Sequence, residues 1–303
     1  MKKIVSVSLG SAKRDHRVSV ELLGEQFDIG RVGTDGDFNR ALTVLKELDG
    51  QVDAIGLGGI DLYLYVRQQR FAIVDGLKLM EVVKSTPVVD GSGLKNTLER
   101  EAVGFVAGEG LLKKGMKVLM VSSLDRFGMA EALYDMGCQM TYGDLIFTMG
   151  MTYPVKTVDE LAEIAGKVLP DLVKMPFHML YPTGKKQESQ DEEKMRRFAE
   201  YYYDADVIAG DFHLIRRFMP DGMKGQMVLT NTTTADDVSF LRGKGVGVLI
   251  TTTPVYEGRS FGTNVIEAAM VAMLGKLPSE ITPGDYLALM KRLDFKAIIQ
   301  TLK

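Results

Sequence analysis

Residues 118–142 read VLMVSSLDRFGMAEALYDMGCQMTY. Val118 to Val121 is a short apolar run that reads as a strand, Met129 to Met136 has helical spacing and stops at Gly137, and Cys138 to Tyr142 reads as a second strand. Strand, helix, strand within so few residues is the unit of a parallel sheet, because parallel neighbours need a crossover whose helix covers the sheet face. The alternation continues downstream. Helices are expected at Val158 to Val173, Glu192 to Tyr203 and Asp236 to Arg242, and strands at Val207 to Gly210, Met227 to Thr230 and Val246 to Thr251. The predicted fold class is α/β, a Rossmann-like, mostly parallel, doubly wound sheet.

Upstream the pattern changes. Val5 to Leu9 and Val18 to Leu22 alternate apolar and polar residues, which predicts an antiparallel hairpin. Phe38, Ala41, Leu42, Leu45 and Leu48 then predict a helix ended by Asp49-Gly50, followed by a buried strand from Val52 to Leu57. Leu62 to Val66 and Phe71 to Val74 read as a strand pair, with Gly56-Leu57-Gly58-Gly59 before them as a tight turn. A helix from Leu94 to Leu112 joins the two halves. Residues 1–96 are therefore expected to form a smaller mixed α/β domain on the substrate side, and residues 97–303 the joining helix plus a Rossmann-like nucleotide-binding domain.

The 303 residues are 46% hydrophobic and 25% charged with a net charge of −3, which excludes a disordered chain and a strongly basic, nucleic-acid-binding surface. Cys138 is the lone cysteine, so no intrachain disulfide or cysteine zinc site forms, and His16, His178 and His213 lack metal-ligand spacing. No metal is expected. The opening MKKIVSVSLGSAKRDHR is broken by serines and charges before a signal-peptide core develops, and Val265 to Leu274 is too short to span a bilayer. The expected setting is cytoplasmic, with a small-molecule substrate and no nucleic-acid or membrane partner. The apolar run from Val265 leaves a homodimer open.

In open parallel sheets, ligands bind beyond the carboxyl ends of the strands, where loops and helix N-termini converge. Here every such end is hydroxylated, small or acidic: Ser122 and Ser123, Gly143-Asp144, Gly210-Asp211, Thr230-Asn231-Thr232, and Thr251-Thr252. Such residues also cap helices and make turns, but five coincident ends predict a ligand crevice. Ser122 to Gly128 holds the place of a pyrophosphate loop, with Arg126 offering a guanidinium, and Asp144 lies sixteen residues past Gly128, near the ~20-residue offset of a ribose-binding carboxylate. The cofactor-binding candidates are Ser122, Ser123, Arg126, Gly128, Asp144, Asn231, Thr232, Thr251 and Thr252, for NAD or NADP, with Asp144 favouring NAD. In the first half, Lys95 opposes the dipole at the start of the joining helix and calls for a carboxylate; Lys95 with Asp90 is the catalytic candidate, a pair able to move a proton at a substrate hydroxyl. Ser92, Arg259 and Asn264 are the substrate-binding candidates.

Four stretches carry a family resemblance: VSLGSAKRDHR (7–17), TPVVDGSGLKNTLERE (86–101), LTNTTT (229–234) and TTTPVYEGRSFGTN (251–264). With the two-domain layout, they make the chain similar to a bacterial family labelled quinate 5-dehydrogenase-like, within the shikimate/quinate dehydrogenase group. The resemblance implies NAD(P)-dependent oxidation of a ring hydroxyl of a small hydroxy acid, with Lys95 at the place of the family's lysine. The chain departs from the group in two places. Ser122 to Arg126 replaces the group's G-x-G-G-A type loop, and the only T-D-G, Thr34-Asp35-Gly36, comes well before Lys95. An oxidoreductase is the first expectation. The alternative is a non-redox ligand-binding protein or transferase for a phosphorylated or nucleotide-linked compound on a degenerate Rossmann fold.

Overall fold

The computed structural model describes residues 1–180, 190–256 and 259–302, the side chains of residues 255, 256, 259 and 260 excepted. Up to residue 89 the chain makes seven strands: β1 Lys2–Ser8, β2 Arg17–Leu22, β3 Glu25–Gly33, β4 Ala54–Gly58, β5 Tyr63–Val66, β6 Gln69–Ala72 and β7 Val88–Val89. The hairpin lies one strand later than the alternation predicts. β2 turns at Leu23 and Gly24, both at positive φ, and pairs antiparallel with β3, while β1 runs parallel to β3 on one side and to β4 on the other. The period of two in β1 misleads because Ser6 and Ser8 do not face water. Both are buried, and Ser6 Oγ accepts a 2.8 Å bond from the Asn264 side-chain amide. The five-stranded sheet has the order β2-β3-β1-β4-β7, and β5 and β6 form a separate hairpin.

Downstream come β8 Lys117–Met120, β9 Gln139–Tyr142, β10 Val207–Ala209, β11 Met227–Thr230 and β12 Val248–Thr251, then the short ribbon β13 Val255–Tyr256 and β14 Arg259–Ser260, and finally β15 Ile298–Thr301. The six-stranded sheet has the order β15-β12-β11-β10-β8-β9, all parallel except the edge strand β15. Helices Phe127–Asp135, Val158–Leu172, Glu192–Asp204, Phe212–Phe218 and Ala235–Lys244 alternate with these strands. The fold is mixed α/β with two mostly parallel sheets. In each sheet the first strand has its parallel neighbours on both sides, so the winding reverses between β1 and β4 and again between β8 and β10, and crevices open at such reversals.

Helix Ser92–Gly108 leads from the first sheet to the second, but the chain later returns. Helix Thr263–Leu274 packs against β1, β4 and β7, and helix Pro283–Arg292 against Ser92–Gly108. Their side chains share one core with the first sheet, among them Ile4, Phe27, Val89, Val265, Met270 and Leu289. Residues 261–293, which the sequence places on the far side of residue 96, thus cover the first sheet, and β15 then rejoins the second. The apolar face of Thr263–Leu274, from which a homodimer was considered, is consumed within its own chain. The contact is close: a Cβ on Gly56 of β4 would lie 2.7 Å from the carbonyl oxygen of Asn264. Each sheet with its covering helices is called a lobe below.

Candidate functional site

The carboxyl ends of both sheets open into one cavity of about 950 Å³. Ser6, Ser8, Gly58 and Asp61 line it from the first lobe, and Ser122, Asp144, Asp211 and Asn231 from the second, so the two winding reversals face each other across it.

Lys95 stands in the first turn of helix Ser92–Gly108, where a cation opposes the dipole. One carboxylate pairs with it directly, and a second acid caps the helix. Asp61, just beyond β4, holds its ammonium at 3.2 Å, both side chains nearly buried. Glu267, from helix Thr263–Leu274, accepts the backbone N–H of Gly91 at 2.6 Å and so caps a helix whose own N-cap residue has no side chain. Burial by itself would lower the Lys95 pKa, but Asp61, Asp125 and Glu99 reverse this and hold it above the ordinary value. Burial raises the Asp61 carboxyl, with Lys95 opposing that shift in part.

Arg126 is sealed in, 3% exposed, among three acids. It pairs with the equally buried Glu99, reaches Asp211 at 3.1 Å, and has Asp125 at 3.6 Å. Burial raises Glu99 to about 6 despite the guanidinium, whereas Asp211, also penalised by burial, is brought down to about 2 by Arg126 and His213. Asp211 in turn accepts from the Asn231 side-chain amide at 3.0 Å. Across the opening, Arg14 of the first lobe meets His213 of the second, Nη1 to Nε2, at 2.9 Å.

The loop from Ser122 to Arg126 is where the nucleotide expectation fails. Asp144 accepts the backbone N–H groups of Ser123 at 3.0 Å and Leu124 at 3.2 Å, and the Ser123 hydroxyl as well. The carboxylate assigned to a ribose is therefore spent on the amides assigned to a pyrophosphate. Ser122 Oγ accepts the N–H of Asp211 at 3.1 Å, and Arg126 is already neutralised. Gly128 lies against Asn96 of the joining helix, where a Cβ would sit 2.8 Å from the Asn96 carbonyl oxygen, so its role is close packing.

Of the remaining candidates, Asn231 reaches the cavity together with Thr232, while its Oδ1 accepts the N–H of Phe212 at 3.2 Å. Thr251 and Thr252 are buried outside the cavity lining; Thr251 Oγ1 points to the Thr253 carbonyl at 3.4 Å. Asp90 does not pair with Lys95. Its carboxylate accepts the backbone N–H groups of Leu62 at 2.5 Å and Tyr63 at 3.3 Å, and the Ser92 hydroxyl at 2.7 Å, which ties the strand pair β5–β6 to the start of the joining helix. Ser92 is thereby engaged too. Asn264 is at the cavity, bonded to Ser6. The side chain of Arg259 is outside the described residues. Asp61, Glu99 and Glu267 went unnoticed in the sequence. The strand-end rule applied to Gly56-Leu57-Gly58-Gly59 points straight at Asp61, but that segment read as a turn.

A family model described as a domain of unknown function, DUF8754, matches residues 93–302, more than half of the chain. The chain belongs to the DUF8754 family. A second domain of unknown function, DUF8753, matches residues 3–90. No curated protein matches the sequence. Among solved structures, an ABC transporter solute-binding protein from Burkholderia multivorans is 12% identical, with TM-score 0.40 over 100% of this chain and 99% of that one. A solute-binding protein from Agrobacterium vitis bound to α-D-tagatopyranose is 10% identical, with TM-score 0.39 over 99% and 94%. A periplasmic ribose ABC transporter protein from Conexibacter woesei is 11% identical, with TM-score 0.38 over 96% and 97%.

The family models and the internal pairing of the site correct the functional expectations. The matching families are of unknown function, and the solved structures named are solute- and sugar-binding proteins of transporters, not quinate or shikimate dehydrogenases. The oxidoreductase reading, the NAD or NADP cofactor and the enzyme class are withdrawn. The physical reason is the internal pairing of Asp144 with its own loop and of Lys95 with Asp61 rather than Asp90. The cytoplasmic expectation is withdrawn as well.

Proposed function

We propose that the chain is a non-redox binding protein that holds a neutral, hydroxyl-rich small molecule between its two lobes. The first lobe comprises residues 1–91 with the returning helices, and the second carries the six-stranded sheet. One observation supports this above others: four of the six lysines and arginines that line the cleft, all but Lys13 and Arg14, are met by carboxylates of the same chain. Lys95 is held by Asp61, Arg126 by Glu99 and Asp211, Arg31 by Asp15, and Arg216 by Asp237. A phosphate or carboxylate finds little net attraction among groups already neutralised, and the amides it would need are taken by Asp144. Hydroxyl groups find the opposite, because paired charges present donors and acceptors side by side. A phosphorylated ligand is therefore disfavoured within the binding-protein reading. Sugars such as the one bound by the Agrobacterium vitis protein belong to the favoured class.

The test is native mass spectrometry of the protein as purified, followed by thermal-shift measurements with neutral sugars and polyols, sugar phosphates and nicotinamide dinucleotides. A retained neutral polyhydroxylated mass, or a rise in Tm of several degrees with one such compound that Lys95→Met removes, is the expected outcome. Stabilisation by phosphorylated compounds alone would overturn the proposal.

A further inference from the structure

The cleft has a second chemistry at one end. Beyond Asp144 its wall turns apolar, and helix Val158–Leu172 explains how. Leu161, Ala165 and Leu169 form the stripe that the helix buries, with Leu161 and Leu169 also reaching the cavity wall. Ile164, Val168 and Leu172 form an adjacent stripe at helical spacing that is only half-buried and lines the cavity. A helix face turned to open solvent would carry polar residues at these positions. Opposite, residues Asp144–Thr148 form a π-helical turn, an uncommon conformation found frequently at functional sites. It carries the wall from polar to apolar within a few residues, since Asp144, Leu145, Thr148 and Met149 all border the cavity. Met149 and Met179 are 50% and 61% exposed, although both line the concave site. Methionines adapt to apolar guests of varied shape. The volume of about 950 Å³ also lies at the upper end of the ~300–1,000 Å³ typical of small-molecule sites, more than a single sugar ring fills.

We propose that the ligand is amphipathic: its hydroxylated head lies between Lys95, Asp61 and Asn231, and an apolar arm enters a chamber walled by Leu145, Met149, Ile164, Val168 and Met179. This rests on the binding-protein reading above and extends it to the substrate class, a glycoside or polyol ester with an alkyl or similar hydrocarbon substituent.

The probes are n-alkyl β-D-glucosides from methyl to octyl, each below its critical micelle concentration, titrated calorimetrically into the full chain. Affinity should rise about three- to fourfold per methylene over the longer members. The double variant Met149→Glu, Met179→Glu should flatten that slope and weaken octyl glucoside at least tenfold; both side chains are exposed, so its circular dichroism and Tm should match the parent. A flat series in the parent protein, or a slope the double variant leaves unchanged, overturns the chamber. Asp61→Asn separates the two proposals. An equal loss for every chain length supports a head group held at Asp61, whereas an intact slope with no effect of Asp61→Asn keeps the chamber and removes the polar head site.

Discussion

Glu267 is a carboxylic acid almost wholly out of water, 3% exposed, bonded to the Gly91 N–H and to the Tyr286 hydroxyl at 2.7 Å. Burial, reinforced by Asp90 nearby, raises its pKa from the ordinary 4.5 to about 7. The folded chain therefore holds this proton more firmly than the unfolded chain does. The associated stability is complete below about pH 4.5, declines above it, and is lost as pH rises through about 7. Urea unfolding at pH 5 and pH 8 should show the parent less stable at the higher pH. Glu267→Gln should remove much of that difference, on the order of 3 kcal/mol, and an unchanged pH slope in the variant would show that another group governs it. At this scale the sequence announces residue types and spacings but not their partners. Lys95 visibly needed a carboxylate, and Asp90 was a candidate close along the chain; Asp61 is the one that folding brings to it. Asp144 stood at an informative offset, yet the spacing could not say that its oxygens turn inward to the loop.

Strands and helices were more legible, because each reports a period set by its own residues. The helices at 158–172 and 192–204 and the strands at 118–121 and 227–230 follow from such patterns to within a residue or so. The failures have a common cause. β1 alternates like an edge strand because Ser6 and Ser8 face the cavity and the start of the covering helix Thr263–Leu274, and no local period distinguishes a polar interior from water. Helix Thr263–Leu274 was recognisable as buried, but the surface that buries it was not. Its docking leaves no room for a side chain on β4: a Cβ at Gly56 would clash with the Asn264 backbone, and at Gly91, where φ is 95, it would lie 2.8 Å from the Asn264 nitrogen. Gly56→Ala should therefore destabilise by about 1–3 kcal/mol, seen as a lower Tm. A Tm within a degree of the parent would mean that the helix shifts without penalty.

Across the whole molecule, two sheets with reversed windings set their carboxyl edges opposite one another, and the lobes also meet through Arg67 with Asp159, Phe38 with Phe177 and a shared apolar core. The Arg14 to His213 contact at 2.9 Å spans the opening itself. A single hydrogen bond between half-buried side chains adds only about 1 kcal/mol to folding stability, but one that bridges two lobes biases how far they stand apart. Arg14→Ala should leave Tm within about two degrees of the parent and enlarge the radius of gyration measured by small-angle X-ray scattering. An unchanged radius would show that the shared core and the Arg67 ion pairs hold the lobes without it.

Composition, periodicity and the chemistry of strand ends determined, with no structure, an α/β chain of parallel strands whose polar loops gather on one rim. Those properties are local, written in the character of neighbouring residues. The tertiary structure decided which charges neutralise each other, that residues 261–293 return to the first lobe, and that the polar rim continues into an apolar chamber. Each of these joins residues tens to hundreds of positions apart. A Coulomb interaction or a packing contact depends on distance in space, which no spacing along the chain encodes.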